Sequence, residues 1–439
     1  MIDTHAGTAA CRSEDSAATT SAAFRPSEQV RLLRPYKGTQ QIPLFLPHRE
    51  RVAKLDWNES VHPPSPAVRS ALADCVLHTE LNWYPDVDAV ALRTALEEYT
   101  GVGMEWIRAF GGSDAALEYV ARAFLNPGDT VLWVPPTYDN VRVYVESCGG
   151  RLKAARPKSI WRGDPRAISD AVTRDVRLVY LVNPNNPTGA LYTLEQIDDL
   201  LRAHPNVAFL IDEAYFEFCG VTAAPLLHAH RNLMIARSFS KAFGLAGLRI
   251  GYLMSHPDNL DWIDRIRVGK NTTLLAQVAA IAALGDRGHL LRVIEETRTT
   301  MSELAARLEK MGLEVRTTPA NFLLVRVHDP DMVTRALANH LIFVRNRNHE
   351  PALEGWLRVT VGTPALIERV AGAFSALPPA LLYGREAPLH PMRLERPPEA
   401  AGSEDAISGG PKTRPRVVAS HRTGRPVATV SAGRNGRSS

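Results

Sequence analysis

Residues 238–249 read SFSKAFGLAGLR, a stretch in which one lysine lies among serines and glycines and an arginine follows. A lysine amine forms an imine with an aldehyde only when it is deprotonated, and burial near another cation lowers its pKa enough for this. The hydroxyl groups of Ser238 and Ser240, with the cation of Arg249 eight residues past the lysine, could surround a phosphate. Lys241 is therefore a candidate for holding an aldehyde cofactor. The alternative is an ordinary polar loop with an exposed lysine.

A second motif, LIDEAY at residues 210–215, places an acidic residue at the end of an apolar strand. A cofactor that withdraws electrons through a ring works best when its ring nitrogen stays protonated, and a buried carboxylate beside that nitrogen achieves this. Asp212 would be the carboxylate, and Tyr215 would hydrogen-bond a phenolic oxygen on the ring. A helix cap at the strand end is the alternative, because Asp is a common N-cap residue.

A third motif, VNPNNPTG at residues 182–189, also follows an apolar strand. A tight turn is expected there, at the carboxyl edge of the sheet, where open α/β sheets bind ligands. Asn186 would donate to the phenolic oxygen from this turn. The alternative, a plain Asn/Pro/Gly turn, explains the composition well but not the concurrence with the other motifs.

A fourth motif, GGSDAALE at residues 111–118, opens a helix. Ser113 is a candidate N-cap, and the glycines allow the backbone to approach a ligand closely. The backbone N–H groups of Ser113, Asp114 and Ala115 would then meet an anion at the helix start. The motif is weak alone, but it offers the phosphate site that the lysine hypothesis requires.

Short apolar runs alternate with helical patterns through the middle of the chain. The runs are apolar throughout, as a sheet covered on both faces requires, and they lie at residues 130–134, 178–182, 208–211 and 233–236. Helical patterns lie between them, for example at residues 114–124 and 194–203. This alternation predicts an α/β fold with a large, mostly parallel sheet covered by helices.

The pattern changes after about residue 285, where a helical segment at residues 290–310 leads to strand-like runs at 322–327 and 357–361. These indicate a smaller α+β domain. The predicted organisation is a disordered extension at 1–29, an N-terminal arm and part of the small domain at 30–65, a large domain at 66–285, a C-terminal small domain at 286–383 and a disordered basic tail at 384–439.

Together the four motifs resemble those of the fold-type I PLP-dependent aminotransferases (class I/II), and within these the histidinol-phosphate aminotransferase group. The resemblance covers roughly residues 30–380. It implies the PLP-transferase fold, pyridoxal 5′-phosphate (PLP) as the cofactor and three catalytic residues: Lys241 as the Schiff-base lysine, Asp212 as the pyridinium partner, and Tyr215. The other implied cofactor contacts are Asn186 at the phenolic oxygen, Tyr138 stacked on the ring, and Ser113, Asp114, Ala115, Ser238, Ser240 and Arg249 around the phosphate.

Two further matches concern the substrate and the oligomer. Arg358, in WLRVTVGT at residues 356–363, matches the arginine that grips the substrate α-carboxylate in related aminotransferases. In the histidinol-phosphate group the same arginine is expected to meet the substrate phosphate instead. Tyr84 matches a tyrosine that reaches the cofactor phosphate of the neighbouring subunit, which implies a homodimer with shared active sites.

The match is poorer in the segment that lies over the substrate in this family. Residues 55–64 read LDWNESVHPP; they keep Asn58 and Glu59 but replace the Asn-Pro and the glycine that usually follow. The segments VRNR at residues 344–347 and NF at residues 321–322 do resemble substrate-side segments of the group. The predicted substrate contacts are Arg358, Asn58, Arg345 and Asn321.

The expected activity is amino-group transfer between an amine and a 2-oxo acid, with histidinol phosphate and 2-oxoglutarate as the leading pair. The motifs do not separate transamination from the other reactions of fold-type I enzymes, so an aromatic or specialised-metabolite aminotransferase, a decarboxylase or a cyclase is the alternative. A catalytically silent PLP-fold regulator is the remote alternative. Such regulators carry a helix-turn-helix module, and none is recognised at residues 1–30 or 384–439.

The overall composition is ordinary, with 439 residues, 45% hydrophobic and 22% charged. The net charge of +4 arises from the C-terminal end, where residues 406–439 carry seven basic side chains and no acidic ones. The remainder is slightly acidic, so no nucleic-acid partner is expected. No stretch is long and apolar enough for a membrane span or a signal peptide, which predicts a cytoplasmic protein. The four cysteines are widely spaced and suggest no metal site or disulfide framework.

Overall fold

The computed structural model of the chain describes residues 25–34 and 49–384. The predicted extension at residues 1–29 and the predicted basic tail at 384–439 lie almost entirely outside the described residues. Of the extension, only residues 25–29 are described, and a short helix begins there at Glu28.

Strands and helices alternate along the described chain. The strands are β1 (Ala53–Leu55), β2 (Ile107–Phe110), β3 (Thr130–Trp133), β4 (Arg151–Ala154), β5 (Val176–Val182), β6 (Ala208–Asp212), β7 (Leu233–Ser238), β8 (Gly251–Ser255), β9 (Val315–Thr317), β10 (Phe322–Arg326), β11 (Ile342–Asn346) and β12 (Trp356–Thr360). The helices are α1 (Glu28–Leu32), α2 (Pro66–His78), α3 (Val90–Thr100), α4 (Ser113–Phe124), α5 (Asn140–Ser147), α6 (Pro165–Ala171), α7 (Leu194–Ala203), α8 (Phe216–Cys219), α9 (Pro257–Asp264), α10 (Leu274–Gly285), α11 (Arg287–Lys310), α12 (Pro330–Asn339), α13 (Pro364–Ser375) and α14 (Pro379–Tyr383).

The larger sheet has the strand order β2-β8-β7-β6-β5-β3-β4. Strands β7, β6, β5, β3 and β4 pair in parallel, and β8 runs antiparallel to its neighbours β2 and β7. The predicted mostly parallel sheet is therefore confirmed. Each of the four predicted strands is present, and β6 and β7 extend far enough to include Asp212 and Ser238.

Hydrophobic cores cover both faces of this sheet. Along β6, Phe209 and Ile211 pack into one core with residues of α2, α3 and α10, whereas Leu210 packs into the opposite core with residues of α4, α5 and α9. Because successive side chains of a strand point to opposite faces, a strand with a core on each side is apolar at every position. This explains why the predicted strands are continuous apolar runs.

The smaller sheet has the order β1-β11-β12-β10-β9 and is mixed, since β1 pairs in parallel with β11 while the other pairs are antiparallel. Helices α11, α12 and α13 contribute side chains to its own core. Helix α11 begins at Arg287, three residues before the predicted helix. Strand β1 brings the segment that follows it, residues 56–62, to the site described below. No helix within residues 25–34 and 49–384 is long and apolar enough to cross a membrane.

Candidate active site

The carboxyl ends of β5, β6 and β7 bring three of the four motifs together. These strands are neighbours, with Val182 opposite Asp212 and Asp212 opposite Ala236. The turn after β5 carries Asn186, β6 ends at Asp212, and the loop after β7 carries Lys241. A cavity of about 400 Å³ lies at this edge. The arrangement follows from parallel strands, whose carboxyl ends all meet at one edge of the sheet.

Most of the predicted site residues line this cavity. They are Ser113, Asp114, Tyr138, Asn186, Asp212, Tyr215, Ser238, Ser240, Lys241, Arg249, Arg345 and Arg358. Four do not line it: Ala115 lies in the first turn of α4, Asn58 and Asn321 are buried behind the lining residues, and Tyr84 is 76% exposed elsewhere.

Asp212 is a buried carboxylate with two hydrogen-bond donors. Tyr180 donates to Oδ2 at 3.1 Å, and the backbone N–H of Ala214 donates to Oδ1 at 3.1 Å. Burial, together with the negative charge of Asp114, raises the pKa of Asp212 to about 7. Such a carboxylate is stabilised as an anion when a cation lies beside it. Asp212 is thus suited to a cationic partner in the cavity.

Tyr215 and Asn58 form a buried hydrogen-bonded pair. The amide Nδ2 of Asn58 donates to the hydroxyl oxygen of Tyr215 at 2.9 Å, and Oδ1 of Asn58 accepts from the Thr360 hydroxyl at 3.2 Å. Because the Tyr215 oxygen already accepts, its proton remains available to an acceptor in the cavity. Burial also raises the pKa of Tyr215, so the hydroxyl stays protonated.

Asn186 is oriented in the same manner by Arg358. Nη1 of Arg358 donates to Oδ1 of Asn186, and an arginine can only donate, so the amide oxygen faces Arg358 and the amide NH₂ faces away from it. The second Nη of Arg358 donates to the backbone oxygen of Asp56. Tyr215 and Asn186 therefore offer two donors to an oxygen in the cavity.

Lys241 lies half-buried at the cavity, and its Nζ donates to the backbone oxygen of Trp57 at 2.9 Å. Burial, reinforced by the positive charge of Arg358, lowers the pKa of Lys241 to about 8. A fraction of the amine is then unprotonated near neutral pH, as attack on an aldehyde requires.

An anion site forms where α4 meets the loop after β7. No side chain caps the N-terminus of α4, and Arg249 lies beside it, with Nη1 3.4 Å from Oγ of Ser240 and Nη2 3.4 Å from Oδ2 of Asp114. Gly112 makes this approach possible, since it has a φ of +93° and a Cβ there would lie 2.5 Å from Arg249 Nη2. Helix N–H groups, hydroxyls and a guanidinium together suit a phosphate.

The structure corrects one detail of this motif. Ser113 was expected as the N-cap, but α4 begins at Ser113 and Gly112 occupies the cap position. A glycine has no side chain to bond the first N–H groups, which is why they remain available for an anion.

Tyr138 borders the cavity from the loop between β3 and α5. Its hydroxyl donates to Oδ1 of Asp114 at 2.8 Å, which fixes the ring beside the start of α4. The position is suited to contact with a planar ligand, because an aromatic face packs well against another ring.

Two arginines face the cavity from the smaller sheet. Arg345 on β11 lies directly opposite Arg358 on β12 in the strand pairing. Burial, reinforced by Arg347, lowers the pKa of Arg358 to about 9, which still leaves it charged at neutral pH. Asn321 supports this wall from behind, because its Nδ2 donates to the backbone oxygen of Asn58 at 3.1 Å.

Several residues at the site were not among the predicted contacts. Trp57, Glu59, Asp139, Asn140 and Arg347 also line the cavity, and Tyr180 supports Asp212 from within β5. Arg347 carries a signal that sequence reasoning can use, since it lies two residues after Arg345 and so on the same face of an extended segment. Tyr180 carries none, because a tyrosine in a buried strand is usually a core residue.

The family model for class I and II aminotransferases matches residues 50–374, and the chain belongs to this family. It is a PLP-dependent aminotransferase with the fold-type I architecture.

The chain is similar to several individual enzymes. It is 33% identical over 360 residues to the dihydroxyacetone phosphate transaminase of Campylobacter jejuni, a match that covers 79% of this chain and 96% of that one. It is 36% identical over 328 residues to the histidinol-phosphate aminotransferase of Roseiflexus castenholzii, covering 72% and 86% respectively. Among solved structures, the histidinol-phosphate aminotransferase of Sinorhizobium meliloti in complex with PLP has a TM-score of 0.71 at 28% identity, covering 80% of this chain and 97% of that one.

The residues at the cavity fit PLP. The buried carboxylate of Asp212, with its raised pKa, suits a cationic ring nitrogen, and the Tyr215 hydroxyl and the Asn186 amide suit a phenolic oxygen. The uncapped start of α4 with Arg249 suits the phosphate. These three groups belong to one cavity with Lys241, so a single ligand can meet all of them.

Proposed function

We propose that this aminotransferase acts on an amine that carries a phosphate ester next to the reacting carbon, with histidinol phosphate as amino donor and 2-oxoglutarate as acceptor. The observation that carries the proposal is the pairing of Arg345 with Arg358 at the cavity. Like charges directly opposite each other destabilise a strand pair unless an anion lies between them. A phosphate, with a charge of about −1.5 to −2, is well matched to two arginines.

The relatives support the same substrate class. Histidinol phosphate and dihydroxyacetone phosphate differ in their side chains, but each has a CH₂–O–phosphate group bonded to the carbon that bears the amino or oxo group. The substrate class is therefore a 2-aminoalkyl phosphate or its 2-oxo counterpart. Dihydroxyacetone phosphate is the second candidate, as an amino acceptor, because the transaminase named for it matches 79% of this chain.

We propose the following roles for the residues at the cavity. Lys241 would hold the cofactor and, once an amine substrate displaces it, its Nζ would take the proton from the reacting carbon and deliver it to the carbon derived from the cofactor aldehyde. Bound PLP supplies an electron-withdrawing ring that stabilises the negative charge on that carbon. Asp212 keeps the ring nitrogen protonated, Tyr215 and Asn186 donate to the phenolic oxygen, and Tyr138 packs on the ring.

The other predicted contacts fall into two groups. Ser113, Asp114, Ala115, Ser238, Ser240 and Arg249 are proposed to surround the cofactor phosphate. Arg358 and Arg345 are proposed to bind the substrate anion, and Asn58 and Asn321 to hold the wall that positions Tyr215 and Trp57.

The purified enzyme with histidinol phosphate and 2-oxoglutarate is expected to form glutamate. Unphosphorylated histidinol is expected to lose about a hundredfold or more in kcat/KM, because charge-assisted hydrogen bonds to two arginines are lost. A coupled enzyme assay for glutamate measures the rates with histidinol phosphate and with histidinol. A parallel reaction with L-glutamate and dihydroxyacetone phosphate tests the second candidate. Equal rates with and without the phosphate group would contradict the proposed substrate class. Substrate consumption without glutamate would favour another reaction, such as decarboxylation.

We also propose a homodimer with shared active sites. Tyr84 is outside the cavity of its own chain, and Lys270 Nζ lies 3.9 Å from its ring centroid. Several large apolar side chains near Tyr84 in the sequence are exposed, at Val76, Leu77, Leu81, Trp83, Val87 and Val90, and so is Val268, which lies two residues before Lys270. An exposed apolar patch of this kind is typical of a protein–protein interface. In the dimer, Tyr84 would reach the cofactor phosphate of the other subunit.

Mixing two defective variants tests this sharing. The Tyr84→Ala and Lys241→Ala chains are mixed in equal amounts, dissociated or unfolded together, and then allowed to reassociate. Half of the dimers then contain one chain of each kind, and one of their two sites has both an intact lysine and an intact tyrosine. Activity is expected to rise to about a quarter of wild type. Recovery no greater than the sum of the two separate variants would contradict a shared site.

We also propose the domain boundaries and the cellular location that the sequence predicts. The large PLP-binding domain is proposed at residues 66–285, the small domain at 286–383 with part of 30–65, and the enzyme is proposed to be cytoplasmic. The separate cores of the two sheets support the division.

A further inference from the structure

Arg347 places a third guanidinium at the cavity. It directly follows β11, and its backbone N–H donates to the oxygen of Trp356 at 3.0 Å, so the pairing with β12 continues through it. Side chains two residues apart point to the same face of an extended segment, which directs Arg347 to the same side as Arg345. Arg347 lines the cavity together with Arg345 and Arg358.

The Arg347 side chain is buried but only partly paired. It is 8% exposed, and Nη2 donates to a carboxylate oxygen of Glu350 at 2.6 Å. Its Nε is buried and has no hydrogen-bond partner among the described residues, and the same holds for Nε of Arg358. Buried donors are normally paired. These two Nε atoms are closed off from the cavity, so a ligand there would meet the Nη groups of Arg347, which lines the cavity and is held by its ion pair with Glu350.

The charge of the cavity wall formed by Arg345, Arg347 and Arg358 also favours an anion. Within residues 25–34 and 49–384, Glu350 is the carboxylate that forms an ion pair with Arg347, and none pairs with Arg345 or Arg358. Burial lowers the pKa of Arg347, while Glu350 opposes this shift. Three guanidinium groups with one carboxylate leave an excess of positive charge.

Other carboxylates at the cavity are mostly engaged elsewhere. Asp56 and Glu59 pair with Lys54, and Asp114 pairs with Arg249. Asp139, which comes from the loop between β3 and α5, also acts on Arg347 and favours its charged form. Asp139 is thus a second carboxylate near the three arginines, after Glu350, and an excess of one positive charge remains at this group.

We propose that Arg347, held in place by Glu350, is a specificity-determining residue that selects a phosphate dianion over a carboxylate at this end of the substrate. A carboxylate has two oxygens and one charge, which a single bidentate arginine satisfies. A phosphate monoester has three free oxygens and a charge of about −1.5 to −2, and gains from further guanidinium groups. The inference rests on the proposed function, in that it assigns a phosphate-bearing substrate to this site.

Calorimetric titration of the holoenzyme with inorganic phosphate tests the inference without requiring the physiological amine. Arg347→Gln is expected to weaken phosphate binding about tenfold or more, as the loss of a charge-assisted hydrogen bond predicts. Arg347→Lys keeps the charge but loses the planar fork, so an intermediate loss is expected. Unchanged cofactor absorbance and unfolding midpoint show that each variant is folded.

Glu350→Gln is the matched control, because it breaks the same ion pair from the other side. If the pair served only to support the fold, both single variants would weaken phosphate binding equally and the double variant would restore it. The proposal instead expects phosphate binding to Glu350→Gln to be unchanged or tighter, since the amide oxygen of the new side chain still accepts from Arg347 while a negative charge is removed. Equal losses in the two single variants, or wild-type affinity in Arg347→Gln, would overturn it.

A kinetic comparison separates this inference from the proposed substrate. In the reaction with histidinol phosphate, Arg347→Gln is expected to lower kcat/KM by a larger factor than it does with L-glutamate. If histidinol phosphate proves not to be a substrate while phosphate affinity still depends on Arg347, the inference is supported and the substrate proposal alone fails. If neither measurement responds to Arg347→Gln, the inference fails.

Discussion

Replacing Lys241 with Ala is expected to reduce turnover by a factor of about 10³ or more, because it removes both roles proposed for this lysine, cofactor attachment and proton transfer. Among the described residues that line the cavity, Lys241 is the only lysine. Its pKa of about 8 leaves part of the amine free at neutral pH. Steady-state assays and the visible absorbance of the bound cofactor measure the two losses separately.

Lys158→Ala is a suitable control for this variant, since Lys158 is exposed and does not line the cavity. It should retain wild-type turnover and absorbance. The assignment of Lys241 is wrong if Lys241→Ala keeps both the absorbance of the attached cofactor and substantial turnover. A Lys241→Ala variant that binds the cofactor non-covalently and turns over slowly agrees with the assignment of Lys241.

The cofactor side of the site is predictable from the sequence because its residues lie at strand ends. Asp212 ends β6, and Lys241 and Asn186 lie in the loops that follow β7 and β5. The parallel pairing of these strands then brings residues far apart in the chain to one edge. Once the strands are identified, these residues can therefore be placed at one edge of the sheet without knowledge of any side-chain contact.

The substrate side is less predictable because it depends on contacts between the two sheets. Asn58 reaches Tyr215, and Arg358 reaches Asn186, across 157 and 172 residues of sequence. No local pattern indicates these partners. Asn58 has a φ of +55°, which a short polar residue such as Asn tolerates better than most. Its role emerges only when β1 is placed beside β11.

Replacing Asp212 with Asn is expected to reduce kcat by a factor of about 10³ or more. Two unit charges ~3 Å apart at an effective dielectric constant of about 20 interact by about 5 kcal/mol, and most of this stabilisation of a cationic ring nitrogen would be lost. The amide keeps the size of the side chain but not its charge. The ring nitrogen should then lose its proton at lower pH, which a pH titration of the cofactor absorbance measures.

Tyr180→Phe is the matched control for this prediction, because it removes the hydrogen bond to Oδ2 of Asp212 and leaves the charge. A loss within about tenfold is expected for this variant. If Asp212→Asn fell only as far as Tyr180→Phe, the hydrogen-bond geometry of the strand end would be the important property and not the negative charge.

Although the Asp212 carboxylate is expected to favour catalysis when PLP is bound, it should destabilise the folded protein when PLP is absent. The pKa of Asp212 is raised by burial from 3.8 to about 7, so the folded state binds more protons than the unfolded state between these values. Asp212 therefore makes the cofactor-free fold less stable as the pH rises through this window, and Asp212→Asn should be more stable than wild type above it. Thermal unfolding of both cofactor-free proteins on either side of the window measures this. A variant that is more stable without PLP yet nearly inactive with it would show that the buried charge serves the cofactor and not the fold.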